Sequence, residues 1–210
     1  MKILYENNDL IFVVKPRGVA SQPSPKGEDM ITLLSDYTKS SVYCVHRLDT
    51  ATGGVMVYAK NERTAAALST AFAEKTIEKE YLAVVKLISP PEGDMTDFLW
   101  HDKSKNKSFS VKTKRKGAKE AKLSYKVIDS DEEKSLVLIK LYTGRTHQIR
   151  VQFATRGFPL YGDGKYGGKS GYPLALWCYK LSVPYKGKIL SYCAEAPENE
   201  ELWNIKKDTL

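Results

Sequence analysis

Two short segments hold the residue types that can do chemistry: His46-Arg47-Leu48-Asp49-Thr50-Ala51-Thr52-Gly53-Gly54 and Gly144-Arg145-Thr146-His147-Gln148-Ile149-Arg150. Each places charged side chains where an apolar element meets a turn. Together they offer one carboxylate and three arginines, with no ligand set for a metal. Such an inventory suits cofactor-free chemistry on a polyanion. Asp49 lies on a turn between two apolar strands, two residues after Arg47. Turn aspartates commonly cap backbone amides, but a permissive loop held between adjacent strands is also where functional side chains are displayed. Arg150, flanked by Ile149 and Val151 near the first turn of an expected helix, is partly buried on this reading, and a buried guanidinium wants a carboxylate. Asp49 is a candidate partner, since a neighbouring Arg⁺ keeps an aspartate ionised and directed; a purely structural ion pair is the other reading.

The elements that must carry these segments follow from hydrophobic spacing. Residues 10–15 read as a buried strand stopped by Pro16, with Arg17-Gly18 turning the chain. Met30, Leu33, Leu34 and Tyr37 have helical spacing within 29–39. A strand over 41–45 feeds into Asp49, and Gly53-Gly54 opens another over 55–59. Asn61 is a good N-cap for an alanine-rich helix burying Ala65, Leu68 and Phe72. Strands follow over 80–87, 108–113, 121–128 and 136–141. A helix then starts near Thr146 with Gly157 as its C′ residue, and strands over 174–183 and 188–193 precede a short amphipathic tail from Pro197. The strands outnumber the helices and cluster as meanders. This predicts an α+β fold with a mixed, mostly antiparallel central sheet flanked by a few helices. No boundary interrupts the 210 residues, so a single domain is expected.

The net charge of +8 is concentrated. Residues 101–122 hold Lys103, Lys105, Lys107, Lys112, Lys114, Arg115, Lys116, Lys119 and Lys122 against only Asp102 and Glu120, which accounts for nearly the whole excess. A solvated face and a phosphate-contacting hairpin or loop are both open readings, and charge alone does not separate RNA, DNA or an acidic protein. Cys44, Cys178 and Cys193 form no CxxC pair, which suggests free thiols in a reducing compartment. With His46, His101 and His147 they still lack the spacing of a zinc site. The first nine residues do not read as a signal peptide, and no apolar run approaches the ~20 residues that span a bilayer, so a cytoplasmic protein without membrane contact is expected. Gly168-Lys169-Ser170 imitates the end of a P-loop, but Asp163 stands where that loop needs glycine. His46 and His147 lack an accompanying nucleophile pattern, which favours structural hydrogen bonding.

Taken together, the motifs resemble the RluA family of RNA pseudouridine synthases. His46 to Gly54 is similar to its HRLDxxTSG motif and Thr143 to Gln152 to its TGRxHQIRVH motif. Gly157-Phe158-Pro159-Leu160-Tyr161-Gly162-Asp163-Gly164-Lys165-Tyr166-Gly167 resembles its G-x-P-(I/L)-x-GD-x-x-YG element. Val14-Lys15-Pro16-Arg17-Gly18 and Lys79-Glu80-Tyr81 match its KPxG and K-x-Y signatures. The likeness runs from about residue 3 to residue 196. Three positions depart from it: Gly53 for the usual serine, Gln152 for a histidine, and Trp177 for a late histidine.

The resemblance implies a single catalytic domain of pseudouridine synthase-like fold, without a separate N-terminal RNA-binding module. It implies Asp49 as the catalytic aspartate, Arg150 as the basic residue paired with it, and Tyr81 lying against the target base. Arg47 would fill the gap left by a flipped nucleotide. Substrate contacts are expected from Arg47, His46, Arg145 and Gln148, and from Lys112, Lys114, Arg115 and Lys116 of the basic stretch, with Phe109 and Trp100 available beside them. Without the resemblance, Tyr81 reads equally well as a packed sheet tyrosine. The partner implied is ribosomal or transfer RNA, bound by a monomer, with no cofactor or metal. A non-catalytic RNA-binding protein of the same fold and a base-removing glycosylase are the rival readings. A glycosidase would normally carry two flanking carboxylates, and no second one accompanies either motif.

Overall fold

Leu10-Ile11-Phe12-Val13-Val14 has no polar residue to turn outward, so it demands cover on both faces. In the computed structural model, which describes residues 1–197 apart from Lys26 and Lys114, together with 201–203 and 205, this stretch is β2, Leu10–Lys15. It follows β1 (Lys2–Glu6) and precedes α1 (Met30–Thr38), β3 (Tyr43–Cys44), β4 (Gly53–Ala59) and α2 (Glu62–Ala73). Then come β5 (Glu78–Lys86), β6 (Glu92–Asp102), β7 (Lys107–Val111), β8 (Lys119–Ser130) and β9 (Lys134–Leu141). Helix α3 (Gln148–Thr155), β10 (Leu176–Tyr185) and β11 (Lys188–Cys193) complete the order. The chain forms two compact units. One is Met1–Lys79 with Trp177–Glu195; the other is Glu80–Leu176 with the described residues from Ala196 on.

In the first unit β4 is central, with all seven residues buried. It pairs antiparallel with β2 and β3 and parallel with β10, while β1 and β11 add antiparallel to β2 and β10. Leu10, Phe12, Val55 and Val57 pack with Leu68 and Ala71 of α2 and with Leu181 and Val183 of β10. Helix α2 is capped as expected: Asn61 Oδ1 accepts the Thr64 N–H at 2.9 Å. Its buried face is Thr64, Leu68 and Ala71, with Ala65 and Phe72 at the margin, a slight rotation from the expected stripe. Asp29 caps α1 the same way, accepting from Thr32 N–H. Of the strand expected over 41–45, only Tyr43 and Cys44 pair.

The second unit is an antiparallel meander in the order β5, β9, β8, β6, β7. Alternate residues Ala121, Leu123 and Tyr125 of β8 are buried, the signature of a strand covered on one face. Helix α3 supplies that cover, with the Phe153 ring 5.5 Å from that of Tyr125. Its end is a Schellman motif: Gly157, at φ +85, donates to Ala154 O and Phe158 N–H donates to Phe153 O. The long strand β6 has no counterpart among the expected elements. Its apolar residues Met95, Leu99 and Trp100 do not alternate, and Pro90, Pro91 and Gly93 at its start read as loop. The fold is therefore α+β with mixed, mostly antiparallel pairing, as expected. Among the described residues no helix is long and apolar enough to cross a membrane, and the three cysteines are free.

Candidate active site

Asp49 is presented by a turn whose neighbours are clamped on both sides. Before it, Ser21 Oγ donates to Leu48 O at 2.8 Å and accepts the Leu48 N–H at 3.0 Å. After it, Thr50 O receives the Gly18 N–H at 2.8 Å and Lys15 Nζ at 3.3 Å. The turn itself closes with Thr52 N–H on Asp49 O, 2.9 Å. Lys15 is fully buried, and its ammonium also donates to Pro16 O and Val19 O. Burial lowers its pKa to about 8, and the Asp49 charge acts in the opposite direction. Thus the lysine of the KPRG segment is a buried clip on the Asp49 turn, and Pro16 ends β2 where that clip is needed.

Two departures from the family pattern meet behind this turn. Gly53 pairs with Trp177 across the parallel β4–β10 register. A Cβ at Gly53 would lie 2.2 Å from Trp177 Cζ3 and 3.1 Å from Lys15 O. The indole, whose Nε1 donates to Ala194 O at 2.8 Å, occupies the space that a serine at 53 would need. Gly54, at φ +119, approaches the Cys178 backbone so closely that its Cβ would be 2.3 Å from Cys178 O. We expect Gly53→Ser to destabilise the fold by about 1–3 kcal/mol through overpacking. Trp177→His added to Gly53→Ser should recover part of that loss, giving a coupling of about 1 kcal/mol or more in a double-mutant cycle. Urea denaturation of the four proteins measures it; strictly additive effects would refute the coupling.

His46, expected among the substrate contacts, has a structural task. Its Nε2 accepts the Val57 N–H at 3.1 Å, and its ring stacks on Phe72 at 4.6 Å. Burial, with Lys79 nearby, lowers its pKa to about 3. The folded state thus keeps it neutral while the unfolded chain protonates it near 6.5. Its stabilisation is complete above pH 6.5 and drains away as pH falls toward 3, by on the order of 5 kcal/mol in all. His46→Gln should flatten the stability–pH curve across that window, as read from urea midpoints. Arg47, beside it, is exposed.

In the second unit Arg150 is buried, 8% exposed, and its Nε and Nη2 donate to the two carboxylate oxygens of Asp163, each at 2.7 Å. Its guanidinium also lies 5.2 Å from the Tyr166 ring centroid. Tyr166 is fixed in turn, its hydroxyl accepting the Ser108 N–H at 2.8 Å and bonding His147 Nδ1 at 2.9 Å. Sequence reasoning did not assign Asp163 or Tyr166 to the site. The signal was available in a buried arginine 13 residues before an aspartate flanked by glycines. Gln148 is used internally: its Oε1 accepts from Thr143 Oγ1 and Arg145 N–H, and its Nε2 donates to Lys122 O. Arg145 Nε donates to Glu120 O. Gln152, another departure, donates through Nε2 to Asp97 at 2.7 Å and so ties α3 to β6. Tyr81, on β5, is 7% exposed.

The basic stretch forms the end of the β6–β7 hairpin and the loop into β8. Asp102 caps the hairpin turn, accepting from Ser104 and Lys105 N–H. Lys112, Arg115 and Lys116 are exposed; Lys114 lies outside the described residues. No group of His, Cys, Asp or Glu able to hold a metal is found among the described residues.

The model of the RNA pseudouridylate synthase family matches residues 9–155. An uncharacterised RNA pseudouridine synthase of Bacillus subtilis, YlyB, is 32% identical across 99% of this chain and 74% of that protein. One from Aquifex aeolicus is 39% identical across 94% of this chain and 70% of that protein. A Borreliella burgdorferi protein named ribosomal large subunit pseudouridine synthase D is 34% identical, across 93% of this chain and 65% of its own length. Among solved structures, human RNA pseudouridylate synthase domain containing 4 shares the fold, with a TM-score of 0.80 at 24% identity over 94% of this chain and 89% of that one. The matched motifs thus lie inside a matched fold, and the chain belongs to the RNA pseudouridylate synthase family, of the RluA type.

Proposed function

We propose that this pseudouridine synthase isomerises a specific uridine in ribosomal or transfer RNA, that its two units act as one monomeric catalytic domain, and that Asp49 carries the chemistry. The bond from C1′ to the base nitrogen breaks, the uracil turns, C1′ joins carbon 5, the proton on carbon 5 leaves, and the freed nitrogen takes up a proton. Atoms are only rearranged, so the reaction consumes no redox cofactor or nucleotide. A single carboxylate serves either by adding to C1′ or by taking the 2′ proton to give a glycal. The observation that carries the reading is the Asp49 turn, clamped at Leu48 by Ser21 and at Thr50 by Lys15 and Gly18. A turn held so firmly supports a positioned carboxylate, and positioning is where much of the rate enhancement of a catalytic group originates.

Arg150 and Tyr81 complete the proposed catalytic set, the first as the cation that favours an ionised aspartate, the second as a face for the base. The uridine must leave its stack at a cost of a few kcal/mol, which Arg47 insertion and stacking on Tyr81 offset. The ribosomal name of the Borreliella relative supports the ribosomal arm of the substrate proposal. The test is tritium release from RNA labelled at carbon 5 of uridine. Release with the chain intact is the expected result. Release of free uracil with abasic sites would identify a glycosylase instead, and binding without release a non-catalytic RNA-binding protein. Mapping pseudouridines in RNA from cells with and without the protein identifies the position modified.

A further inference from the structure

Three aromatic rings and three cations follow one another in a row across the second unit. The Arg115 guanidinium lies 4.5 Å from the Trp100 ring centroid. Trp100 and Phe109 face each other across β6–β7, with centroids 6.1 Å apart. Lys107 Nζ lies 5.8 Å from the Phe109 ring and 5.1 Å from the Tyr166 ring. The Arg150 guanidinium, 5.2 Å from Tyr166, ends the row. All three rings are part-exposed, and a groove of about 340 Å³ opens where Lys107, Ser108, Phe109, Lys165 and Tyr166 converge.

We propose that this row is a stacking track for unpaired RNA, taking up to three nucleotides that adjoin the target uridine. The bases lie on Trp100, Phe109 and Tyr166, and the phosphates face Arg115, Lys107 and Lys165. The proposal rests on the reading of Arg150 as part of the catalytic set, and it narrows the substrate class to a uridine flanked by single-stranded residues. Duplex RNA is recognised through its phosphates and 2′-hydroxyls, with its base faces hidden, and would leave three rings unused. An acidic peptide would answer the cations and not the rings. Exposed rings interspersed with cations are the pattern that binds single strands without a sequence code.

The full chain is tested with a fluorescein-labelled oligouridylate decamer and a ten-base-pair RNA duplex, both by anisotropy. Wild-type protein should bind the decamer more tightly than the duplex, and the decamer should quench the fluorescence of Trp100. Trp100→Phe keeps a ring and should keep affinity while losing that quench. Trp100→Leu with Phe109→Leu keeps apolar bulk but no stacking face, and should weaken decamer binding about 10- to 100-fold with duplex binding unchanged. Lys107→Gln with Arg115→Gln should lower the slope of log affinity against log salt by about 0.7 per lost phosphate contact. Equal losses for decamer and duplex in the leucine variant, or decamer affinity equal to wild type, would overturn the track. Binding is read without turnover, so a protein that binds as described yet releases no tritium refutes the catalytic proposal and leaves the track standing.

Discussion

Asp49→Asn is expected to lower the single-turnover rate of pseudouridine formation by at least about 10⁴-fold, the scale of loss seen when a carboxylate or nucleophile central to a mechanism is removed. Asparagine is nearly isosteric, and the backbone of the turn is held at Leu48 by Ser21, at Thr50 O by Lys15 and Gly18, and at Asp49 O by Thr52. The substitution therefore removes the charge and one oxygen of the carboxylate proposed to react, while the backbone bonds of the turn remain available. An amide neither adds to C1′ nor accepts the 2′ proton, so both routes fail together. One side effect has a predictable sign. The Asp49 charge helps keep Lys15 protonated against burial, so in the variant the pKa of Lys15 should fall below about 8. Rates are best compared near pH 7, by quenched tritium release, with RNA affinity followed in parallel. Affinity near wild type with release lost is the expected pair of results. A rate within tenfold of wild type would remove Asp49 from the chemistry.

What could be read from the sequence depended on how local its cause was. Strand β2 and the cap of α2 were legible because a few adjacent residues decide them: Pro16 removes a donor, and Asn61 reaches an amide three residues on. The turn bearing Asp49 was legible for the same reason. Strand β6 was not, because it owes its pairing to β7 and β8 on either side rather than to its own alternation. The internal use of Gln148 was also hidden, whereas His46, which the resemblance places among the substrate contacts as well, already pointed to a structural role for want of a nucleophile beside it. A motif records that a glutamine or histidine is present, not that its polar atoms are spent on Thr143 and Lys122, or on Val57. Asp163 as a partner of Arg150 required knowing the path between them. Gly157 at the end of α3 was expected, but the positive φ of Gly162 beside Asp163 has no counterpart in the hydrophobic pattern.

Asp163→Asn should cost about 3–5 kcal/mol, because it leaves the Arg150 guanidinium buried against a partner that has lost its charge. The native geometry is bidentate, with Nε and Nη2 each 2.7 Å from a carboxylate oxygen and the Asp163 side chain at 0% exposure. An asparagine can accept one of those bonds, but its amide nitrogen then opposes the other donor. For a chain of this size the melting temperature should fall by roughly 10 °C. The role of the pair beyond stability is separable. Replacing both members with apolar residues of similar volume, Arg150→Met with Asp163→Val, removes the stranded charge and should restore most of the lost stability. Activity should not return with it, since the cation proposed to keep Asp49 ionised is gone. Thermal melts and tritium release on the single and double variants therefore give opposite trends. If activity recovers together with stability, Arg150 and Asp163 are only a structural ion pair; if it stays lost in a well-folded double variant, the Arg150 cation serves activity beyond stability.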